Sequence, residues 1–298
     1  MTIPYVGELA SLSAAFIWSF TLTAYRAYGT KISAIHLNLY KNLVAFVCLV
    51  VLMVATAAQW SLSMRSFVYL CISGLFGLSL GDSFLMAALK RVGTQLSSSV
   101  QCLAPPLSGL LAIFWLSENL STMEWIGLVL TVLAIFLLIY FSQNKKRRVA
   151  DIPTKTLWSG IAFALAAALC QAFSWVIARD ALQSVDVLAG TLIRIGAGGV
   201  VLLIYSVWRR DTTYRNIFTD FSLFWRLSLA AFFGSFIGVT LLSIGAKYTK
   251  AGVSAALAST YPIWIIPVAY FMVKERATVL SVFCTVVAVV GISLMFLA

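Results

Sequence analysis

Apolar residues run along the chain in ten blocks separated by polar links, approximately Tyr5 to Tyr25, Ile35 to Ala57, Phe67 to Leu89, Gln95 to Leu116, Met123 to Phe141, Thr156 to Ala178, Val187 to Trp208, Leu223 to Ala246, Gly252 to Val273 and Thr278 to Leu297. Each block is about 20 residues long, the length that crosses a hydrocarbon core of about 30 Å as a helix rising about 1.5 Å per residue. The pattern predicts an all-α integral membrane protein of ten transmembrane helices. Most links are short, which makes successive helices antiparallel. The longest polar link, QNKKRRVADIPTK from Gln143 to Lys155, falls between blocks five and six. It divides the chain into two five-helix units, residues 1–150 and 151–298.

The two units repeat one another. The segment GLSLGDSFLMAALKRVGTQLSSSVQCLAPPLSGLLAIFWLSEN from Gly77 sets without a gap beside GSFIGVTLLSIGAKYTKAGVSAALASTYPIWIIPVAYFMVKER from Gly234. This register matches Gly77 to Gly234, Gly81 to Gly238, Lys90 to Lys247, Pro105 to Pro262 and Glu118 to Glu275; a slightly different one pairs Arg26 with Arg179 and Lys41 with Arg194. Agreement at so many Gly, Pro and charged positions marks a real repeat. Because each unit has an odd number of spans, the second must enter the membrane upside down. Two inverted repeats around a central cavity at the midplane are a common plan for a transporter.

Composition fits this picture: 61% of residues are hydrophobic and 10% charged, against roughly 25% charged in a soluble domain. The net charge of +11 points away from nucleic acid, since the basic residues sit in short links with no polar basic stripe. Links after odd-numbered blocks carry 15 Lys or Arg, those after even-numbered blocks only Arg65, Arg179, Lys247 and Lys250. The positive-inside rule then puts the odd links in the cytoplasm and both termini outside. The five cysteines all lie within apolar blocks without close pairing and read as small core residues.

The ten-block layout, the LGDSFLMAALKRVGTQ stretch ending block three, the proline-containing blocks four and nine, and the ends Ser117-Glu118-Asn119 and Lys274-Glu275-Arg276 resemble the drug/metabolite transporter superfamily, specifically its EamA-like members. The resemblance covers the whole chain. It implies export or uptake of metabolites such as amino acids by alternating access, and it implies cytoplasmic termini, the opposite of the charge count. Asn119 stands where Arg276 does, so a shared charged contact at those two ends is not expected.

Asp82 is the most informative single residue. A carboxylate inside a span costs several kcal/mol unless it is paired, protonated or wet. It is a candidate proton, cation or substrate site, or else a structural ion pair, and the matching position in the second half is Val239. Lys41 and Arg194 occupy equivalent places in blocks two and seven, either snorkelling to the interface or presenting cations to a cavity. Block two starts and block three ends on one membrane side, so Lys41 and Asp82 share a depth and can pair, whereas inversion sends Arg194 towards the other side. Gln101 and Gln171 add polar stripes, and Trp18, Tyr40, Trp175 and Tyr261 add aromatic surface with polar tips, suited to a flat solute or to ordinary packing. Gly77 with Gly81 and Gly234 with Gly238 form G-x-x-x-G grooves for close helix packing or for sliding. Pro105 and Pro262 favour kinks whose freed carbonyls either face a cavity or follow packing alone.

The expected function is therefore secondary transport of small organic metabolites, amino acids or similar amphipathic solutes foremost and in the export direction. Efflux of drugs or other hydrophobic compounds is the alternative. No nucleotide-binding loop appears, and the sole histidine, His36, has no catalytic or metal-binding companions, which disfavours an ATPase or an intramembrane enzyme. No ring of pore-lining charges suggests a channel. The expected partners are a small-molecule substrate and membrane lipid, with no nucleic acid, metal or cofactor, in a monomer or homodimer. The expected location is the inner membrane of a prokaryotic cell.

Overall fold

A computed structural model of the chain describes residues 5–56, 62–116, 121–142, 152–209, 212–248 and 257–297. Among these, every regular element is helical. The first half contains α1 (Val6–Tyr28), α2 (Ala34–Thr56), α3 (Met64–Ser73), α4 (Asp82–Gln101), α5 (Ala104–Leu116) and α6 (Thr122–Ser142). The second contains α7 (Thr154–Ser184), α8 (Val187–Arg209), a short α9 (Arg215–Thr219), α10 (Phe221–Ala231), α11 (Val239–Tyr248), α12 (Tyr261–Val273) and α13 (Val279–Leu297). The KKRR link, the Glu118-Asn119 end of block four and the Gly252 start of block nine lie outside the described residues.

Seven helices among the described residues are long and apolar enough to cross a membrane, with Tyr261–Val273 and Val279–Met295 as shorter apolar helices. The number differs from the ten blocks of the sequence partly because the start of block four joins block three in one 38-residue segment, Met64–Gln101, which leaves the rest of block four as the short α5. That segment is not a single straight helix. Gly93 breaks it at φ 84°, ψ 173°, a conformation open to glycine and strained for any other residue. The helix start that follows Gly93 is capped from the other half of the chain. Glu275 Oε2 accepts from the backbone N–H and hydroxyl of Thr94 at 3.0 and 2.8 Å, and Oε1 accepts from the Gln95 N–H at 2.9 Å. A left-handed turn at Lys274, φ 56°, ends α12 and aims the carboxylate there.

Other helix starts carry their own caps: Ser63 accepts from the Ser66 N–H, Asp220 from that of Leu223, and Ser121 with Glu124 forms a reciprocal capping box. Pro105 and Pro262 stand in the first turns of α5 and α12 rather than in helix interiors. A first-turn N–H has no helical acceptor, so proline loses nothing there. The chain breaks just before each, at Cys102–Leu103 and at Ser259–Thr260, the same offset that aligns Gly77 with Gly234.

A feature the apolar pattern does not reveal separates α3 from α4 and α10 from α11: Gly74–Gly81 and Phe232–Gly238 are wound as π-helix. The Asp82 N–H accordingly reaches back five residues to the Gly77 carbonyl. A wide turn frees carbonyls, which in lipid require donors from the protein. Asn38 and Asn42 of α2 supply them: Asn38 Nδ2 donates to the carbonyls of Leu78 and Ser79 at 2.8 and 3.0 Å, and Asn42 Nδ2 to that of Leu78 at 3.2 Å.

The halves interlock. Helix α7 packs on α3, its π-turn and α4, as α1 packs on the second π-turn, α11 and α12; α2 pairs with α8 and α6 with α13. Gly127 and Gly291 let the α6 and α13 backbones touch, since a Cβ on Gly127 would lie 2.4 Å from the Gly291 carbonyl oxygen. One contact recurs across the two interfaces. Gln171 of α7 donates to the Gly77 carbonyl at 3.3 Å, and Trp18 of α1 donates to the Gly234 carbonyl at 2.9 Å.

Candidate functional site

The charged centre forms where α2, α4, α7 and α8 meet at the first π-turn. Asp82 opens α4 and is buried, as are Lys41 and Arg194, each less than a tenth exposed. The Lys41 ammonium donates to Asp82 Oδ2 in a buried ion pair, so the two groups that share a depth in the sequence are joined. The other carboxylate oxygen accepts from Gln171 Nε2 at 3.0 Å. Gln171 thus bridges the Asp82 carboxylate and the Gly77 carbonyl, and holds the acid against the π-turn.

Arg194 of α8 meets the face of α7 that carries Ser174 and Trp175. Its Nη2 donates to Ser174 Oγ at 3.3 Å, its guanidinium sits 5.0 Å from the centroid of the Trp175 ring, and its Nε is buried without a partner. Ser174 is anchored in turn, with its hydroxyl donating to the Ser73 carbonyl at 2.8 Å and Ser73 Oγ donating to the Ser174 carbonyl at 2.9 Å. Among the described residues the cluster holds two buried cations and one carboxylate, and Lys41 claims that carboxylate directly.

The close approach of α8 is built in at glycines. A Cβ on Gly74 would lie 2.2 Å from the Arg194 carbonyl oxygen, and one on Gly77 would lie 2.3 Å from Ser174 Oγ. Gly81 faces Cys170 and Gln171, while Gly234 and Gly238 face Thr21 and Trp18. All four glycines picked out by their spacing thus lie at helix crossings that involve the candidate site residues.

The remaining candidates separate. Trp18 meets Tyr261 edge-on at 6.3 Å and lies against Gly238, on the second of the two glycine crossings. Gln101 ends α4 with its Oε1 buried and unpartnered. Tyr40 goes elsewhere: its hydroxyl bonds Ser228 and its ring packs on Phe218 and Phe224. Successive helical residues point about 100° apart, so Tyr40 turns away from the face that Lys41 occupies. His36 is buried with its ring nitrogens against Ser33, Thr213 and Ser206, joining the start of α2 to the region around α9. Asn38 and Asn42 donate to the π-turn beside this cluster; two asparagines four apart in an apolar block are the sequence signal for them.

Comparison with known proteins adds three findings. A model of the EamA-like transporter family matches the chain twice, over residues 5–140 and 158–297. No curated protein matches it by sequence. A solved structure, described only as the crystal structure of a protein, superposes with a TM-score of 0.68 at 15% identity, covering 98% of this chain and 96% of the other. At that identity the likeness speaks for the fold alone.

Proposed function

Because the chain belongs to the EamA-like transporter family, a family of multi-pass membrane transporters of small solutes, we propose that it carries carboxylate-bearing organic solutes, amino acids above all, out of the cell by alternating access. The reading takes the fold as ten spans in two inverted five-helix units, residues 1–150 and 151–298. The reciprocal Gln171–Gly77 and Trp18–Gly234 contacts support it.

The observation that carries the substrate class is Arg194. A guanidinium buried in a span, with its Nε unpartnered and, among the described residues, a hydroxyl and an aromatic face beside it, is a site short of one anion. A carboxylate on a solute supplies that anion, and the planar fork of arginine binds it with two parallel hydrogen bonds. Lys41 and Asp82 form the coupled pair: protonation of Asp82 would release Lys41, and the order of the two events links solute to proton. Trp18, Trp175 and Tyr261 offer the apolar part of the solute a face to lie on.

The test is flux into or out of proteoliposomes loaded with single amino acids and with their methyl esters. The wild type moves the acids and discriminates against the esters, which lack the carboxylate. Arg194→Lys keeps charge and length but loses the fork, and slows flux about tenfold with yield and thermal unfolding unchanged. Equal flux of acid and ester, or wild-type flux by Arg194→Lys, would overturn the carboxylate site and favour hydrophobic efflux.

A further inference from the structure

The membrane-facing side of α1 carries a groove that the transport reading does not use. Two cavities of about 400 Å³ each abut there, sharing Phe16 and Ile17 in their walls. Along α1 the groove follows Ser13, Phe16, Phe20, Ala24 and Tyr28, the three- and four-residue spacing of one helix face. Trp264 of α12 walls one end, and Leu229 of α10 and Phe233 of the second π-turn wall the other. From Ser13 to Tyr28 is about 22 Å of helix, more than the roughly 15 Å that one leaflet contributes to the hydrocarbon core. The groove is thus a nearly wholly apolar trough lying along the helix axis.

One end of the trough is charged. Arg226 lines it, exposed, with its guanidinium 4.9 Å from the centroid of the Tyr28 ring. Exposed Phe221 and Trp225 flank it on the first turns of α10, the position of an interfacial aromatic belt. An arginine stacked on tyrosine at that depth is an ordinary membrane anchor when it stands alone. Here it closes an apolar channel as long as an acyl chain, and the fold itself does not demand it: Ala181 and Tyr69 occupy the corresponding positions in the other repeat.

We propose that this trough is a binding site for an anionic phospholipid of the surrounding bilayer, with an acyl chain lying along α1 and the phosphate at Arg226. The match is one of shape and charge together. A chain fills the stripe from Tyr28 towards Ser13, and the headgroup meets a cation whose other side is held by an aromatic ring. Arg26 and Lys31, in the last turn of α1 and the link beyond it, bring further positive charge to the same membrane side. A lipid held there touches α1, α10 and the second π-turn at once, and so rests on the elements that border Trp18 and Gly234.

The experiment is native mass spectrometry of the full-length protein released from nanodiscs of equal parts phosphatidylglycerol and phosphatidylcholine. The wild type retains phosphatidylglycerol over phosphatidylcholine by about fivefold, the factor for one cation at an anionic surface. Arg226→Gln abolishes that preference, while Arg209→Gln, which removes an exposed cation at the end of α8 outside the trough, leaves it intact. Shortening the acyl chains weakens retention by the wild type. Equal retention of both lipids by the wild type, an equal loss in both variants, or retention indifferent to chain length would each overturn the proposal.

Discussion

Two interfaces of this molecule are built alike and furnished differently. On one, α7 lays Gln171 and Ser174 against Gly77 and its π-turn; on the other, α1 lays Trp18 and Thr21 against Gly234 and its own. Each makes the same side-chain bond to the carbonyl of its glycine. Only the first goes on to a carboxylate, Asp82, where the second has Val239. Polarity therefore accumulates on one side: Lys41 joins its acid, and Arg194 turns to Ser174 and Trp175. The lesson is that a duplicated scaffold keeps its backbone geometry by close glycine contacts while its chemistry diverges, and that one acid decides which interface becomes the charged one.

The largest expected effect breaks the charged interface directly. Lys41→Met leaves Asp82 buried without its cation, which costs about 3–5 kcal/mol. Thermal unfolding in detergent shows this as a steep loss of midpoint that the added change Asp82→Asn largely reverses, without restoring transport. If the single variant unfolds like the wild type, the ion pair is not what holds the acid in place.

A smaller effect sharpens the comparison. Gly77→Ala and Gly234→Ala each put a methyl within 3 Å of a hydroxyl-bearing side chain, Ser174 or Thr21, and each costs about 1–3 kcal/mol of overpacking. Stability falls alike in both, but only Gly77→Ala displaces Ser174 from Arg194. Transport of a carboxylate-bearing solute should therefore drop more in Gly77→Ala than in Gly234→Ala, measured at equal amounts of folded protein. The smallest effect concerns the bond between the halves: Glu275→Gln removes the charge from a cap but keeps one acceptor, at a cost of about 1 kcal/mol. Thr94→Val, which deletes the hydroxyl and leaves the backbone donor, lowers the unfolding midpoint less.

Much of this architecture was legible because lipid makes demands that sequence must answer. Block lengths report helices, and the directions of successive spans give Lys41 and Asp82 a shared depth at which they can pair. Equivalent positions in the repeat singled out Arg194, and glycine spacing marked the crossings. The π-turns were not legible, since a segment apolar all round has no periodic face on which to read its winding, and their signature was displaced onto Asn38 and Asn42 of another helix. Tyr40 offers aromatic surface and a polar tip in the sequence, and the structure turns both towards Ser228, Phe218 and Phe224, a different face from that of Lys41 one residue along the helix. Glu275 read as the end of a helix because its partners, Thr94 and Gln95, lie about 180 residues earlier.

That last distance carries a consequence for how the protein is made. The helix beginning at Thr94 emerges from the ribosome long before Glu275 is translated, and until then its first N–H groups have no carboxylate to receive them. At the start of block four, beside Lys90 and Arg91 at the membrane surface, such groups hold on to water in the meantime. The cap on this helix therefore waits for a residue made about 180 positions later, and its final seating follows synthesis of the second half rather than accompanying insertion of the first.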